Sequence, residues 1–85
     1  MKRYTIFVRS SVKTWNKEYN TIRIARREAK TYIKKMLPEK EYIHDNFSYI
    51  SENFYAIIKE HDSMIYVFTI NENGKIVESK IDEWT

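Results

Sequence analysis

The dipeptide Asn73-Gly74 limits the possible folds of this chain more than any other feature. Its glycine is the only one among the 85 residues, and runs rich in β-branched and aromatic residues flank it at 64–70 and 75–81. Asn-Gly between two such runs predicts a β-hairpin, because a type I′ turn requires positive φ at both central residues. We therefore expect two antiparallel strands joined at this dipeptide.

Two further segments extend the predicted sheet. A third run of the same character, 54–60, precedes a turn at 61–63, which predicts a three-stranded antiparallel meander. Residues 64–70 are apolar at odd and even positions, as expected for a strand that is covered on both faces. Residues 3–9 alternate between apolar and polar side chains and predict an N-terminal strand in the same sheet.

The strongest helical pattern covers residues 21–37, where apolar residues recur every three or four positions. Thr21 or Asn20 is the expected N-cap, and Pro38 ends the helix because the residue before a proline avoids the α region. An alternative is that 19–24 extends as a strand and the helix begins one turn later. The apolar arc of the helix comprises Ile22, Ala25, Ala29, Tyr32, Ile33, Met36 and Leu37.

Two segments have no clear period. Residues 10–20 are interpreted as a loop with, at most, a short irregular strand around 12–15. Residues 38–53 are interpreted as a loop followed by an extended piece at 47–50, since Asn, Ser, Tyr and Phe are mediocre helix formers. The alternative is a second helix over 45–60, where apolar residues also recur at helical spacing.

These elements predict a single α+β domain over residues 1–85, with an antiparallel sheet of about four strands and one basic amphipathic helix packed on one face. A hydrophobic fraction of 42% excludes a disordered chain. The absence of cysteine excludes disulfides, cysteine-ligated zinc and thiol catalysis. No apolar run approaches the roughly 18 residues that span a bilayer, and the N-terminal residues do not resemble a secretory signal. We expect a cytoplasmic protein with no membrane contact.

The charges are segregated along the chain. Residues 1–40 contain twelve Lys/Arg and three Glu, a balance of +9, whereas residues 41–85 contain three Lys and nine Asp/Glu, a balance of −6. Such asymmetry indicates a basic surface for an anionic partner next to an acidic surface. The alternative is that the two halves neutralise each other in the folded protein.

The basic residues of the helix form a stripe. Arg23, Arg27, Lys30 and Lys34 fall within about 60° of one another on the helical wheel and span roughly 16 Å. Arg26, at the edge of the apolar face, can extend toward the same side. Like charges four residues apart repel, and phosphates would relieve that repulsion. The alternative is a solvated helix face that acids from the second half of the chain compensate.

A polar segment before the helix could widen this basic surface. Lys13 and Lys17 flank Trp15, and an aromatic side chain between lysines can stack on an unpaired base. The alternative for Trp15 is a loop residue that caps the open end of the sheet. No strand has the aromatic–basic motif of an RNA recognition motif domain.

The sequence offers little for catalysis. His44 and His61 are each followed by an aspartate in a predicted loop or turn, and two histidines at this spacing make neither a catalytic dyad nor a zinc site. A single glycine provides no phosphate-cradling loop, and no serine lies in a G-x-S-x-G context. We therefore expect a protein without enzymatic activity, metal or cofactor.

Two long segments, TIRIARREAKTYIKKMLPEKEY and NFYAIIKEHDSMIYVFTINENGKIVE, resemble the small accessory proteins of T-even-type phages. Within that group the chain is similar to an RNA-binding inhibitor of a type III toxin–antitoxin endoribonuclease. The resemblance implies an antidefence protein in the cytoplasm of the host cell that blocks the toxin RNase, with RNA as part of the inhibited complex. The helix cations would then contact the RNA.

Two hypotheses about function follow. The first is RNA binding through phosphate contacts of the helix 21–37, with DNA still possible and with weak sequence specificity. The second is a protein-interaction inhibitor of a host enzyme that acts without nucleic acid through the acidic, aromatic C-terminal sheet, for example by addition of a strand to the edge near 75–81. Both are compatible with a monomer or a homodimer.

Overall fold

The computed structural model describes residues 3–10 and 14–81, and for Thr14 and Trp15 it describes the backbone only. In the described part, no helix is both long enough and apolar enough to cross a bilayer. The elements along the chain are β1 (Tyr4–Arg9), β2 (Thr14–Tyr19), α1 (Ile22–Met36), α2 (Lys40–Asp45), α3 (Phe47–Asn53), β3 (Tyr55–Glu60), β4 (Ser63–Ile70) and β5 (Ile76–Lys80).

The five strands form one antiparallel sheet in the order β2-β1-β3-β4-β5. The predicted α+β class is confirmed, as are the N-terminal strand and the C-terminal meander. The sheet has five strands rather than about four, and the described part has three helices rather than one.

The additional strand, β2, overlaps the short strand allowed around 12–15 at residues 14 and 15, but the predicted loop is wrong for residues 16–19. The strand TWNKEY pairs along its whole length with β1, with Tyr19 opposite Tyr4. It is polar because it is an edge strand and neither of its faces needs to be fully buried, so the apolar period that reveals inner strands is missing. Since β2 ends at Tyr19 and α1 begins at Ile22, the alternative of a strand over 19–24 is also wrong.

Helix α1 agrees with its prediction to within one residue at each end. Thr21 is at the N-cap position, although its side chain makes no capping hydrogen bond, and Pro38 follows two residues after the helix ends. Ala25 and Ala29 are fully buried, and these small side chains let the helix approach β1 and β3 closely.

One hydrophobic core lies between the sheet and the helices. The strands contribute side chains from a single face, and each of the three helices contributes at least one buried residue. The core comprises Ile6, Val8, Ala25, Ala29, Ile33, Ile43, Ile50, Phe54, Ala56, Ile58, Phe68 and Ile70.

Residues 40–53 form two short helices, so the predicted loop and the extended piece at 47–50 are wrong. The alternative of a helix was right for Phe47–Asn53 but wrong beyond it, because β3 starts at Tyr55. Ile43 and Ile50 are both buried against the same core, and that burial outweighs the weak helix propensity of the surrounding residues.

The β4–β5 hairpin is confirmed, whereas the predicted type I′ turn is wrong. Gly74 has φ of +79°, but Asn73 has no positive φ. Instead the loop is built around Asn71, whose carbonyl oxygen accepts a hydrogen bond from the Gly74 amide at 2.9 Å. The Asn71 side chain accepts from the amides of Asn73 at 2.9 Å and Lys75 at 3.0 Å. This arrangement is a longer turn with one left-handed glycine.

Strand β4 is covered on one face only, in contrast to the prediction. Phe68 and Ile70 are buried under the helices, whereas Val67 and Thr69 point to the opposite face and remain half-buried. None of the described helices contributes to that opposite face, which we call the outer face of the sheet.

Candidate nucleic-acid interface

A groove of about 650 Å³ lies between α1 and the start of β5. One wall is the polar side of α1, and the other is the end of the β4–β5 loop with the first residue of β5. We call it the basic groove, and it is lined by Arg23, Arg26, Arg27, Lys30, Thr31, Lys34, Leu37, Gly74, Lys75 and Ile76.

All five helix cations predicted as site residues line the basic groove. Helical periodicity accounts for this, because positions 23, 27, 30 and 34 share one side of α1. Arg26, predicted to extend from the edge of the apolar face, does so and lies on the same wall. Arg23, Arg27 and Lys34 are exposed, whereas Arg26 and Lys30 are half-buried.

Glu78 of β5 binds the two half-buried cations. The Arg26 side chain donates from Nε to Oε2 of Glu78, and Nζ of Lys30 lies 2.9 Å from Oε1. The Arg26 guanidinium also lies over the Tyr66 ring, with its central carbon 4.8 Å from the ring centroid. These contacts hold Arg26 between an aromatic face and a carboxylate.

The pKa of Glu78 reflects the same contacts. Burial alone raises this pKa, but the hydrogen bonds from Arg26 and Lys30 and the charges of those side chains lower it by more. The pKa therefore lies below its ordinary value, while the hydrogen bond to Glu78 raises the pKa of Arg26. The carboxylate is charged at neutral pH and reduces the positive charge of the groove by one.

The remaining cations of the basic groove have no acidic partner in the described part of the chain. Among residues 3–10 and 14–81, no carboxylate lies within 4.0 Å of Arg23, Arg27, Lys34 or Lys75. Of the described residues, six cations line the groove and one carboxylate, Glu78, binds two of them, so the local balance of these residues is +5. The expectation that acids of the second half compensate the helix therefore applies only to Arg26 and Lys30.

The floor of the basic groove is apolar, and none of the described residues that line the groove is aromatic. Leu37 and Ile76 contribute the apolar surface, and Gly74 contributes backbone without a side chain. The Thr31 hydroxyl donates to the carbonyl of Arg27 at 3.0 Å and is thus occupied within the helix. The groove offers charge to a backbone of phosphates, and its described lining includes no aromatic ring on which a base could stack.

The other predicted site residues are not part of the basic groove. Lys17 is exposed on β2, at the opposite edge of the sheet from β5, and its Nζ lies 5.6 Å from the centroid of the Tyr19 ring. Trp15 lies in the same strand with its backbone opposite Val8, but its side chain is outside the described residues, as is all of Lys13. The structure therefore separates the predicted base-stacking segment from the helix stripe.

Lys75 and Glu78 were missed by the sequence reasoning. Each appears in the sequence as an ordinary polar residue of an edge strand, and neither belongs to a charge run. Only the placement of β5 beside α1 makes them part of the groove.

The two histidines lie in different elements. His44 is in the last turn of α2 and not in a loop as predicted, whereas His61 is in the β3–β4 turn with φ of 57°. His44 lines a second cavity of about 530 Å³ between α2 and the β4–β5 loop. Within residues 3–10 and 14–81, no three or more His, Asp or Glu side chains are grouped so that they could hold a metal ion.

Comparisons of the chain with models of known protein families, with curated proteins and with solved structures found no match.

Proposed function

We propose that the protein binds RNA through the basic groove, as a binding protein without catalytic activity. The observation that supports this most is the local balance of +5, in which Arg23, Arg27, Lys34 and Lys75 lack an acidic partner among the described residues. Four such cations along one groove repel one another and are stabilised by a polyanion that passes between them.

The groove favours recognition of the nucleic-acid backbone. Arginine binds a phosphate through two parallel hydrogen bonds, and release of condensed counterions adds affinity that falls with salt concentration. Because the described residues that line the groove include no aromatic side chain, we expect few contacts to bases and weak sequence specificity.

The resemblance to phage accessory proteins supplies a biological setting for this proposal. In that setting the protein inhibits a host toxin endoribonuclease and does so as a complex that contains RNA. RNA as the anionic ligand of the basic groove fits an inhibitor of this kind, because the same RNA can be bound by the inhibitor and by the nuclease.

The test is to reverse two exposed cations of the groove, Arg23→Glu together with Arg27→Glu. We expect the affinity for RNA at moderate salt to fall about ten- to a hundredfold. The slope of log K against log salt should become shallower by about 1.4, because each single-strand phosphate contact contributes about 0.7. Fluorescence anisotropy with a labelled RNA and with a DNA of the same sequence measures both quantities and shows which nucleic acid is preferred.

The matched control is Lys17→Glu with Lys35→Glu, which changes the net charge equally at exposed positions outside the groove. We expect this control to weaken binding by less than about threefold. Equal losses for the two double variants would show that only net charge matters, and unchanged binding by the groove variant with an intact fold would rule the groove out.

The alternative of a protein-interaction inhibitor has one favourable observation, since β5 is an edge strand with backbone groups open to another strand. The C-terminal sheet that this alternative invokes is less acidic than the sequence suggested, because two of its glutamates are paired with cations. Glu78 is bound to Arg26 and Lys30, and Glu60 to Arg3. A protein partner retained at high salt by RNase-treated protein would favour this alternative.

A further inference from the structure

The outer face of the sheet has an apolar centre. Phe7 of β1, Ile57 of β3 and Val67 of β4 are direct neighbours across the three inner strands and form one row. Tyr55 borders this row, and its ring centroid lies 6.4 Å from that of Phe7. Val77 of β5 is 41% exposed on the same face.

These side chains are separate from the core. None of them belongs to the hydrophobic core or to the partly buried residues packed against it. The centre of the face bears no charge, although 32% of the residues in the chain are charged. A polyanion has nothing to contact there, so the face is suited to another protein surface.

We propose that a second copy of this chain covers the outer face, with a twofold axis along the row Phe7–Ile57–Val67, perpendicular to the strands. Sheets that stack face to face keep their strands roughly aligned and lie about 10 Å apart. On the axis, each apolar residue of the row meets its own equivalent, as an isologous interface requires.

The charges at the rim of the face are complementary under this rotation. Arg9 is paired with Thr14 at one end of the β1–β2 ladder, and Thr5 is paired with Glu18 one position before the other end. The rotation exchanges the two ends, so Arg9 comes within about one strand spacing, 4.8 Å laterally, of Glu18 of the second copy. Both residues are exposed and have no ion pair within the described part of the chain.

The same operation places Lys59 over Tyr55 of the second copy. Both lie on β3, the middle strand, at opposite ends of the outer face. An ammonium group over a tyrosine ring is favourable. The other in-plane axis, parallel to the strands along β3, would instead put Lys59 against Lys59 of the second copy. Charge therefore selects the axis perpendicular to the strands.

The area of the face fits a weak dimer. Five strands about 4.8 Å apart and about 20 Å long present roughly 480 Å² on each copy, or about 1,000 Å² in total. The smallest specific protein–protein interfaces bury about this much surface, and interfaces of this size are usually transient. The basic groove lies on the opposite side of the sheet, so the dimer leaves it open, and this inference does not depend on the proposed function.

Sedimentation velocity of protein freed of nucleic acid tests the dimer, at low salt and up to about 500 µM protein. We expect Arg9→Glu and Glu18→Arg each to weaken self-association about tenfold. The double variant, which restores opposite charges, should return to within about threefold of the original chain.

Lys40→Glu and Glu52→Arg are the matched controls, because these residues are exposed on α2 and α3, away from the outer face. We expect them, and the Arg23→Glu/Arg27→Glu groove variant, to dimerise normally. Failure of the double variant to recover would overturn the proposed axis. A chain that stays monomeric at every concentration would overturn the proposed dimer.

Discussion

At the scale of single residues, Glu78 holds two cations of the basic groove, Arg26 and Lys30, in ion pairs. Its carboxylate binds Arg26 and Lys30 and has a side chain only 20% exposed, whereas Arg23 and Arg27 project into solvent without an acidic partner among the described residues. The groove thus combines two cations held by a carboxylate with exposed cations that have no acidic partner among the described residues.

Glu78→Gln should lower stability in a pH-dependent manner. Because contacts in the folded state lower the pKa of Glu78, its contribution is complete above the ordinary value of 4.5 and is lost as the pH falls through the lower folded pKa. We expect a loss of about 0.5–1 kcal/mol at pH 7 and almost none near pH 3, measured by urea unfolding at both pH values. Glu52→Gln, in the exposed part of α3, is the control, and a loss that does not change with pH would contradict the ion-pair explanation.

At the scale of elements, the loop that joins β4 to β5 also packs against α2. Gly74 has φ of +79°, and a Cβ added to it would approach Cδ1 of Ile43 to 3.2 Å. The glycine therefore serves two purposes, since it adopts a left-handed conformation and lets α2 pack closely against the loop.

Gly74→Ala should reduce stability by about 1–2 kcal/mol, because alanine is strained at positive φ and its Cβ crowds Ile43. Asn73→Ala should cost less than about 0.5 kcal/mol, since Asn73 has no positive φ. Thermal or urea unfolding measures both changes. Equal costs at the two positions would indicate the type I′ turn that the sequence predicted, and a smaller cost of Gly74→Ala in an Ile43→Val background would isolate the contact.

At the scale of the whole molecule, charge and apolar surface are divided between the two sides of one sheet. All helices of the described part contribute to the core on one face, where α1 also forms the basic groove, and the outer face has an uncharged centre. The described part of the protein therefore presents two surfaces of different chemistry on opposite sides of the sheet.

The surplus of +5 in the groove should make stability rise with salt. Between 0.01 M and 0.15 M, the Debye length falls from about 30 Å to about 8 Å, so repulsion among the groove cations is screened. We expect Tm to increase by about 2–4 °C, corresponding to roughly 0.5 kcal/mol. Arg23→Gln with Arg27→Gln should show a smaller increase, and a Tm that falls with salt would mean that the ion pairs of Glu78 outweigh the repulsion.

The sequence predictions are accurate for elements that have a strong local pattern and are wrong for elements that depend on contacts between distant segments. Helix α1 and strands β3 to β5 have long apolar periods or strong β propensity, and each was located to within about two residues. Strand β2 and helices α2 and α3 depend on pairing with β1 and on the burial of Ile43 and Ile50, which are contacts between distant segments. Local propensity in these segments is weak or points elsewhere.

The sequence by itself determined the α+β class, the hairpin at Asn73-Gly74 and the cationic side of α1, because backbone periodicity and the glycine conformation are local properties. Only the tertiary structure decided that Lys75 and Glu78 meet that helix, that Lys17 lies at the far edge, and that the outer face stays uncovered by the described helices. These features depend on the order of strands in the sheet, which is set by the packing of the whole core.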